Sequence, residues 1–128
     1  MPTTALYAAL LALLFLVLAA LVIRLRQELQ VALGDAGEKS LNRAIRVHAN
    51  FAEYVPLALL LVYFVETSGA PQLLVHGLGL ALLLGRALHA YGVSQTREQL
   101  KFRVSGMVAT FGVLGVSSLY LLYAYLVL

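Results

Sequence analysis

One predicted helix carries the most reactive combination of side chains in this sequence. Arg46, Asn50 and Glu53 stand at i, i+4 and i+7, a spacing that stacks them on a single helical face. Arg43 and Tyr54 flank that face, and Pro56 follows it. Farther along, Arg86 and His89 are three apart and so also neighbours; Arg103 opens the last apolar run and Arg24 closes the first. A guanidinium grips a carboxylate through two parallel hydrogen bonds, and an acid in apolar surroundings such as Glu53 suits an ammonium. Several guanidinium groups with one acid therefore match a small zwitterion that carries an extra carboxylate. The sequence has no cysteine. A protein thiol nucleophile, thiolate metal ligation and a disulfide frame are thereby excluded, and any thiol chemistry requires a thiol brought by the substrate.

Plainer roles compete for each of these residues. Arg24 and Arg26 can snorkel and set topology, Arg43 can be a solvated helix end, and Glu66 reads as a snorkelling terminus. His76 has no polar company on its helix and reads as structural; His48 lies nearly opposite Arg46 and reads as an interface residue. Arg46 and Glu53 can enter ion pairs between helices. Glu53 resists a bland reading most, because an acid at the centre of a membrane helix costs on the order of 3 kcal/mol on insertion scales. No metal is expected, since no His pair has ligand spacing with an acid, and no glycine-rich phosphate loop is present.

The elements that position these groups follow from composition. In 128 residues there are nine Lys plus Arg and six Asp plus Glu, a net charge of +3, and 12% charged residues, where a soluble domain carries about 25%. Hydrophobic residues make up 62% and the mean hydropathy is +0.90. A globular domain of this size leaves roughly 30% of its chain surface wet, so it cannot hide that much apolar area. A soluble monomer and a disordered chain are both excluded. The small basic excess forms no stripe, which argues against nucleic acid.

Residues 5–23 and 104–128 carry no charge, and each approaches or exceeds the roughly 20 residues that span about 30 Å of hydrocarbon. Residues 54–65 and 73–85 are also charge-free but shorter, so each needs polar turns, 41–53 and 86–93, to complete a span. The predicted fold is all-α: a four-helix up-down bundle integral to the membrane, one domain over 1–128, with helices at about 4–31, 39–66, 71–93 and 99–127. Gly34-Asp35-Ala36-Gly37 and Ser68-Gly69-Ala70-Pro71 break the first two connections, and residues 92–98 form the third. Arg24, Arg26, Lys39 and Arg43 cluster at the first connection, and Arg97, Lys101 and Arg103 at the third. The positive-inside rule makes those ends cytoplasmic and puts both termini on the far side. Tyr7, Tyr63, Phe64, Tyr120, Tyr123 and Tyr125 then form a far-side aromatic belt. Nothing basic precedes the first apolar run, so it reads as a span and not as a cleaved signal. One layer near the cytoplasmic edge is expected to collect Arg24, Arg43, Arg46, Asn50, Glu53, Arg86, His89 and Arg103.

The run Arg46-Val47-His48-Ala49-Asn50-Phe51-Ala52-Glu53-Tyr54-Val55-Pro56-Leu57 resembles the second-helix signature of the MAPEG family, the membrane-associated proteins of eicosanoid and glutathione metabolism. The pattern is R-x-x-x-N-x-x-E, followed by Tyr and then Pro as in the leukotriene synthase branch. Gly85-Arg86-Ala87-Leu88-His89-Ala90-Tyr91-Gly92 looks like the third-helix signature, and Arg103-Val104-Ser105-Gly106-Met107 resembles the start of the fourth helix in bacterial members. The resemblance covers the whole chain.

It implies a homotrimer, multi-pass in a bacterial inner membrane, with glutathione as co-substrate bound between subunits at the cytoplasmic edge. Arg46, Asn50, Glu53, Tyr54, Arg86 and His89 match glutathione-binding positions, Arg24 matches a first-helix arginine reaching in from the neighbouring subunit, and Arg103 matches the arginine that stabilises the thiolate. Ala49, Val93 and Met107 depart from the prostaglandin E synthase branch, so that isomerisation is not implied. The implied activity is transfer of glutathione to a lipophilic electrophile arriving from membrane lipid, with peroxidase activity as a possible accompaniment. One alternative is a non-catalytic member that binds lipid or glutathione. A second is a small transporter coupled through Glu53, which the absence of any acid in the first apolar run, residues 5–23, disfavours.

Overall fold

The computed structural model describes residues 1–97 and 99–128 as four helices: α1 (Thr3–Leu29), α2 (Lys39–Thr67), α3 (Gln72–Ser94) and α4 (Leu100–Val127). All four are long and apolar enough to cross a membrane, and among the described residues there is no strand. The chain is a four-helix bundle of the expected class. The helices α2 and α3 form its middle: α1 packs on both, α4 packs on both, and among the described residues no Cα of α1 comes within 8 Å of one in α4. Leu11, Val47, Phe51, Val55, Val62 and Leu82 fill the interior, while the outer faces expose leucines along every helix, as a lipid solvent allows.

Helix α1 stops at Leu29, short of the expected residue 31, because Gln30 turns left-handed at φ 55 and donates its backbone N–H to the Arg26 carbonyl. The Arg26 guanidinium then donates to the carbonyls of Val31 at 3.3 Å and Gly34 at 2.7 Å. It ties the loop down instead of only snorkelling. Asp35 completes the connection: its Oδ1 accepts from the Gly37 backbone at 2.9 Å and its Oδ2 from Asn42 Nδ2 at 2.7 Å. These bonds, the Gly37 one foremost, hold the Asp35 carboxyl below its ordinary value.

At the opposite end, α1 begins after Pro2 with no side-chain cap of its own, which leaves first-turn N–H groups in need of acceptors. Glu66 of α2 supplies them. Its carboxylate accepts from Thr3 N at 2.5 Å, Thr4 N at 2.8 Å and Thr4 Oγ1 at 2.6 Å, at the positive end of the α1 dipole. Glu66 is thus a cap for α1, and the expectation of a snorkelling terminus is corrected. Tyr7 also departs from the expected belt. It is buried, its hydroxyl bonds His76 Nδ1 at 2.9 Å, and its ring lies where a side chain at residue 79 would be, a place left open by Gly79. Tyr63, Phe64, Tyr123 and Tyr125 do face outward.

Helices α3 and α4 make the most extensive pairing in the bundle, and three glycines allow it. A Cβ on Gly85 would lie 2.8 Å from Ala109 Cβ, one on Gly92 2.6 Å from Arg103 N, and one on Gly106 2.7 Å from His89 Cβ, besides meeting the Gly85 carbonyl. Small residues let backbones approach this closely where no hydrophobic force drives helices together. The Gln99 N–H donates to the Gly92 carbonyl at 2.9 Å, which folds the start of α4 back on the end of α3.

Candidate functional site

At the loop end of the bundle, facing surfaces of α2, α3 and α4 part to leave a cleft of about 220 Å³. Asn42, Arg43, Arg46 and Asn50 line it from α2, His89 and Val93 from α3, and Arg103 from the first turn of α4. The α2 residues form one stripe at roughly four-residue intervals, and His89 and Val93 are four apart, so single helical faces supply each wall. Three arginines and no carboxylate line the cleft. Asn42 spends its amide nitrogen on Asp35, which leaves its carbonyl side for the mouth of the cleft.

Arg86 lies beneath. It is 1% exposed and donates through Nη2 to Asn50 Oδ1 at 2.6 Å and through Nη1 to Thr110 Oγ1 at 3.3 Å and Met107 Sδ at 3.6 Å. Nη2 also lies 3.4 Å from His89 Nδ1, and the guanidinium carbon sits 5.9 Å from the Phe51 ring centroid. Its Nε has no partner, and among the described residues no carboxylate pairs with it. Burying a cation without a counter-ion is costly. Hydrogen bonds to Asn50 and Thr110, the Met107 sulfur and the face of an aromatic ring offset part of that cost.

The expected layer is therefore split within one chain. Arg46, Asn50, His89 and Arg103 converge on the cleft together with Arg43. Arg86 reaches this group only through Asn50 and His89 and does not line the cleft. Glu53 is exposed on α2, about two turns or roughly 10 Å beyond Arg46 along the helix. Tyr54 is half-buried with its ring edge-on to Phe111 at 5.5 Å. Arg24 points outward from α1, its side chain 73% exposed, and pairs with Glu28 at 2.9 Å. Asn42 and Thr110 lie outside the sequence expectation. Both were readable as stripe members, Asn42 four residues before Arg46 and Thr110 seven after Arg103. His48 packs as an interface residue, stacked on Phe15 at 4.7 Å. Among the described residues no group of three or more metal-ligating side chains assembles.

Four apolar helices, three of which line an arginine-bearing cleft at one end, define a multi-pass integral membrane protein. The chain matches the model of the MAPEG family over residues 4–123, and it belongs to that family. It is similar to the inner membrane protein YecN of Escherichia coli strain K12, with 44% identity over 108 residues that cover 84% of this chain and 81% of that protein. YecN of E. coli O6:H1 strain CFT073 matches to the same extent.

Proposed function

We propose that this protein is a membrane-bound glutathione transferase of a bacterial inner membrane, with its loop end cytoplasmic and both termini on the far side. The supporting observation is the cleft itself, which holds three arginines and no carboxylate at the end of an otherwise lipid-facing bundle. Arg43 and Arg46 suit the two carboxylates of the tripeptide, and Asn50 suits its peptide backbone. A free thiol with pKa near 8.5 is only a few per cent ionised at neutral pH. Arg103, at the start of α4 where its charge adds to the positive helix end, favours the thiolate. The thiol proton leaves to water. The sulfur lone pair forms a carbon–sulfur bond with an electrophile arriving from lipid, and the displaced electron pair departs on the leaving group or is protonated by solvent.

The cleft of one chain, about 220 Å³, falls below the roughly 300–1,000 Å³ typical of small-molecule pockets. A second subunit would supply the missing wall. Exposed Glu53, suited to the ligand's ammonium, and exposed Arg24 are then read as groups that meet a neighbouring copy, in keeping with a homotrimer. The test is a thiolate ultraviolet difference titration of the detergent-purified protein with glutathione near neutral pH. A saturable thiolate band is expected. Arg103→Ala should keep glutathione affinity nearly intact while lowering conjugation at least tenfold, and an unchanged rate removes Arg103 from the mechanism. Saturable binding without the band would favour the non-catalytic reading.

A further inference from the structure

We propose that the loop end of the bundle carries a second binding site, for an anionic membrane phospholipid with an uncharged, hydroxyl-bearing head, of the phosphatidylglycerol class. At the far end α1 is tied to α3, through Thr3 Oγ1 and Gln72 Oε1 at 2.6 Å and through Tyr7 and His76 at 2.9 Å. At the loop end the two helices instead stand on either side of a groove of about 160 Å³, floored by α2. Leu18, Leu21 and Leu25 of α1 make one wall apolar, and Ala44 and Val47 make the floor so. From Leu18 to Leu25 the helix rises roughly 10 Å. The groove therefore takes the first part of one acyl chain and leaves the remainder in the bilayer, which exposed Leu21 borders.

The polar residues of the groove gather at one end. Ser40 stands at the start of α2 and Ser94 at the end of α3, with Arg43 about one turn deeper. Leu25 shares this lining and follows closely on Ile23, where the charge-free run of α1 stops. Arg43 thus lies at the level where hydrocarbon gives way to headgroups. It is half-buried and has no hydrogen-bond or ion-pair partner among the described residues, and the same holds for the Ser40 and Ser94 hydroxyls. A guanidinium so placed draws a phosphate. No carboxylate lines the groove, so an ammonium head finds no counter-charge there, whereas glycerol hydroxyls find the two serines. Arg43 also lines the cleft, and its five N–H donors suffice for a phosphate on one side and a carboxylate on the other. The site itself requires no glutathione.

The test is native mass spectrometry of the detergent-purified protein, titrated with phosphatidylglycerol or with phosphatidylethanolamine of the same acyl chains. Phosphatidylglycerol should bind at least about fivefold more tightly, the increment expected of one well-placed cation. Arg43→Gln should abolish that preference. Lys101→Gln, which removes a charge at the same end of the bundle but outside the groove, should keep it. Ala44→Leu leaves Arg43 in place and fills the path of the chain, so it should lower phosphatidylglycerol binding by a similar factor and gives a reading that does not depend on how well Arg43→Gln folds. Equal binding of the two lipids by the wild-type protein overturns the proposal, as does binding unchanged in Ala44→Leu or a preference that survives Arg43→Gln. Equal losses in Lys101→Gln and Arg43→Gln would show only the general pull of a basic surface, and would overturn it too. Glutathione enters none of these readings, so failure of the proposed function leaves them standing.

Discussion

Gly106 offers a sharp test of how the α3–α4 pairing builds the cleft. In Gly106→Ala the added Cβ would lie 2.7 Å from both His89 Cβ and His89 N, where carbon contacts ordinarily settle at about 3.5–4.0 Å. The opposing atoms are backbone or first side-chain atoms, so no rotamer change relieves the overlap and α3 has to retreat by about 1 Å. Overpacking of this kind costs about 1–3 kcal/mol. Gly112→Ala is the control on the same helix. Nothing lies within 4 Å of its new Cβ, so it keeps only the gain of up to about 1 kcal/mol from replacing a helical glycine. That gain is common to both substitutions, so the two variants should differ by the overpacking cost of about 1–3 kcal/mol in thermal unfolding in one detergent. The same 1 Å separates the His89 wall from Arg103, and misplacement on that scale lowers kcat/KM by about 100-fold. Melting temperatures that coincide, with kcat/KM for conjugation unchanged, would refute the claim that Gly106 sets this spacing. A strongly destabilised Gly112→Ala would instead reveal a neighbouring chain packed on that face.

Glu66→Gln retains an acceptor for the first turn of α1 but removes the charge at its positive end, and should lower stability by about 1 kcal/mol, read as a lower melting temperature in detergent. Tyr7→Phe keeps the ring over Gly79 while losing the His76 bond; a loss of about 0.5–1.5 kcal/mol is expected, and none would mean the pair is adventitious. The Asp35 carboxyl is held below its ordinary value of 3.8, so its contribution is fully present above that value and fades as pH falls through the lower folded value. Limited proteolysis of the first loop should accelerate across that acidic window, and Asp35→Ala should show fast cleavage at neutral pH with no such step.

The four spans were legible because lipid imposes a blunt rule: charge-free runs of the right length, separated by glycine and proline turns, become helices. Much of the site was legible for a related reason, since polar residues repeated along one face of a membrane helix need company. Helical spacing states which residues share a face and is silent on what that face meets. Arg86 and His89 are neighbours on α3, yet Arg86 is drawn inward to Asn50 and Thr110 because Gly85 and Gly106 bring α4 so close. Arg46 and Glu53 share a stripe, but about two helical turns separate them, and only Arg46 reaches the cleft. Glu66 misled for a different reason. Its partners, Thr3 and Thr4, are more than sixty positions away in sequence, and only the closed bundle makes them neighbours.

No residue of α1 lines the polar cleft, and no described Cα of α1 comes within 8 Å of one in α4. The bundle thus separates two kinds of surface along its own architecture. Arg43, Arg46, Asn50, His89 and Arg103 come from α2, α3 and α4, while Leu6, Leu13, Leu16 and Val17 of α1 are exposed. Those outward positions are interchangeable parts: exchanging them for other apolar side chains changes what the bundle meets sideways in the bilayer and leaves the lining of the cleft in place. One cleft-bearing frame can in this way serve many hydrophobic surroundings, by drift on a single helix.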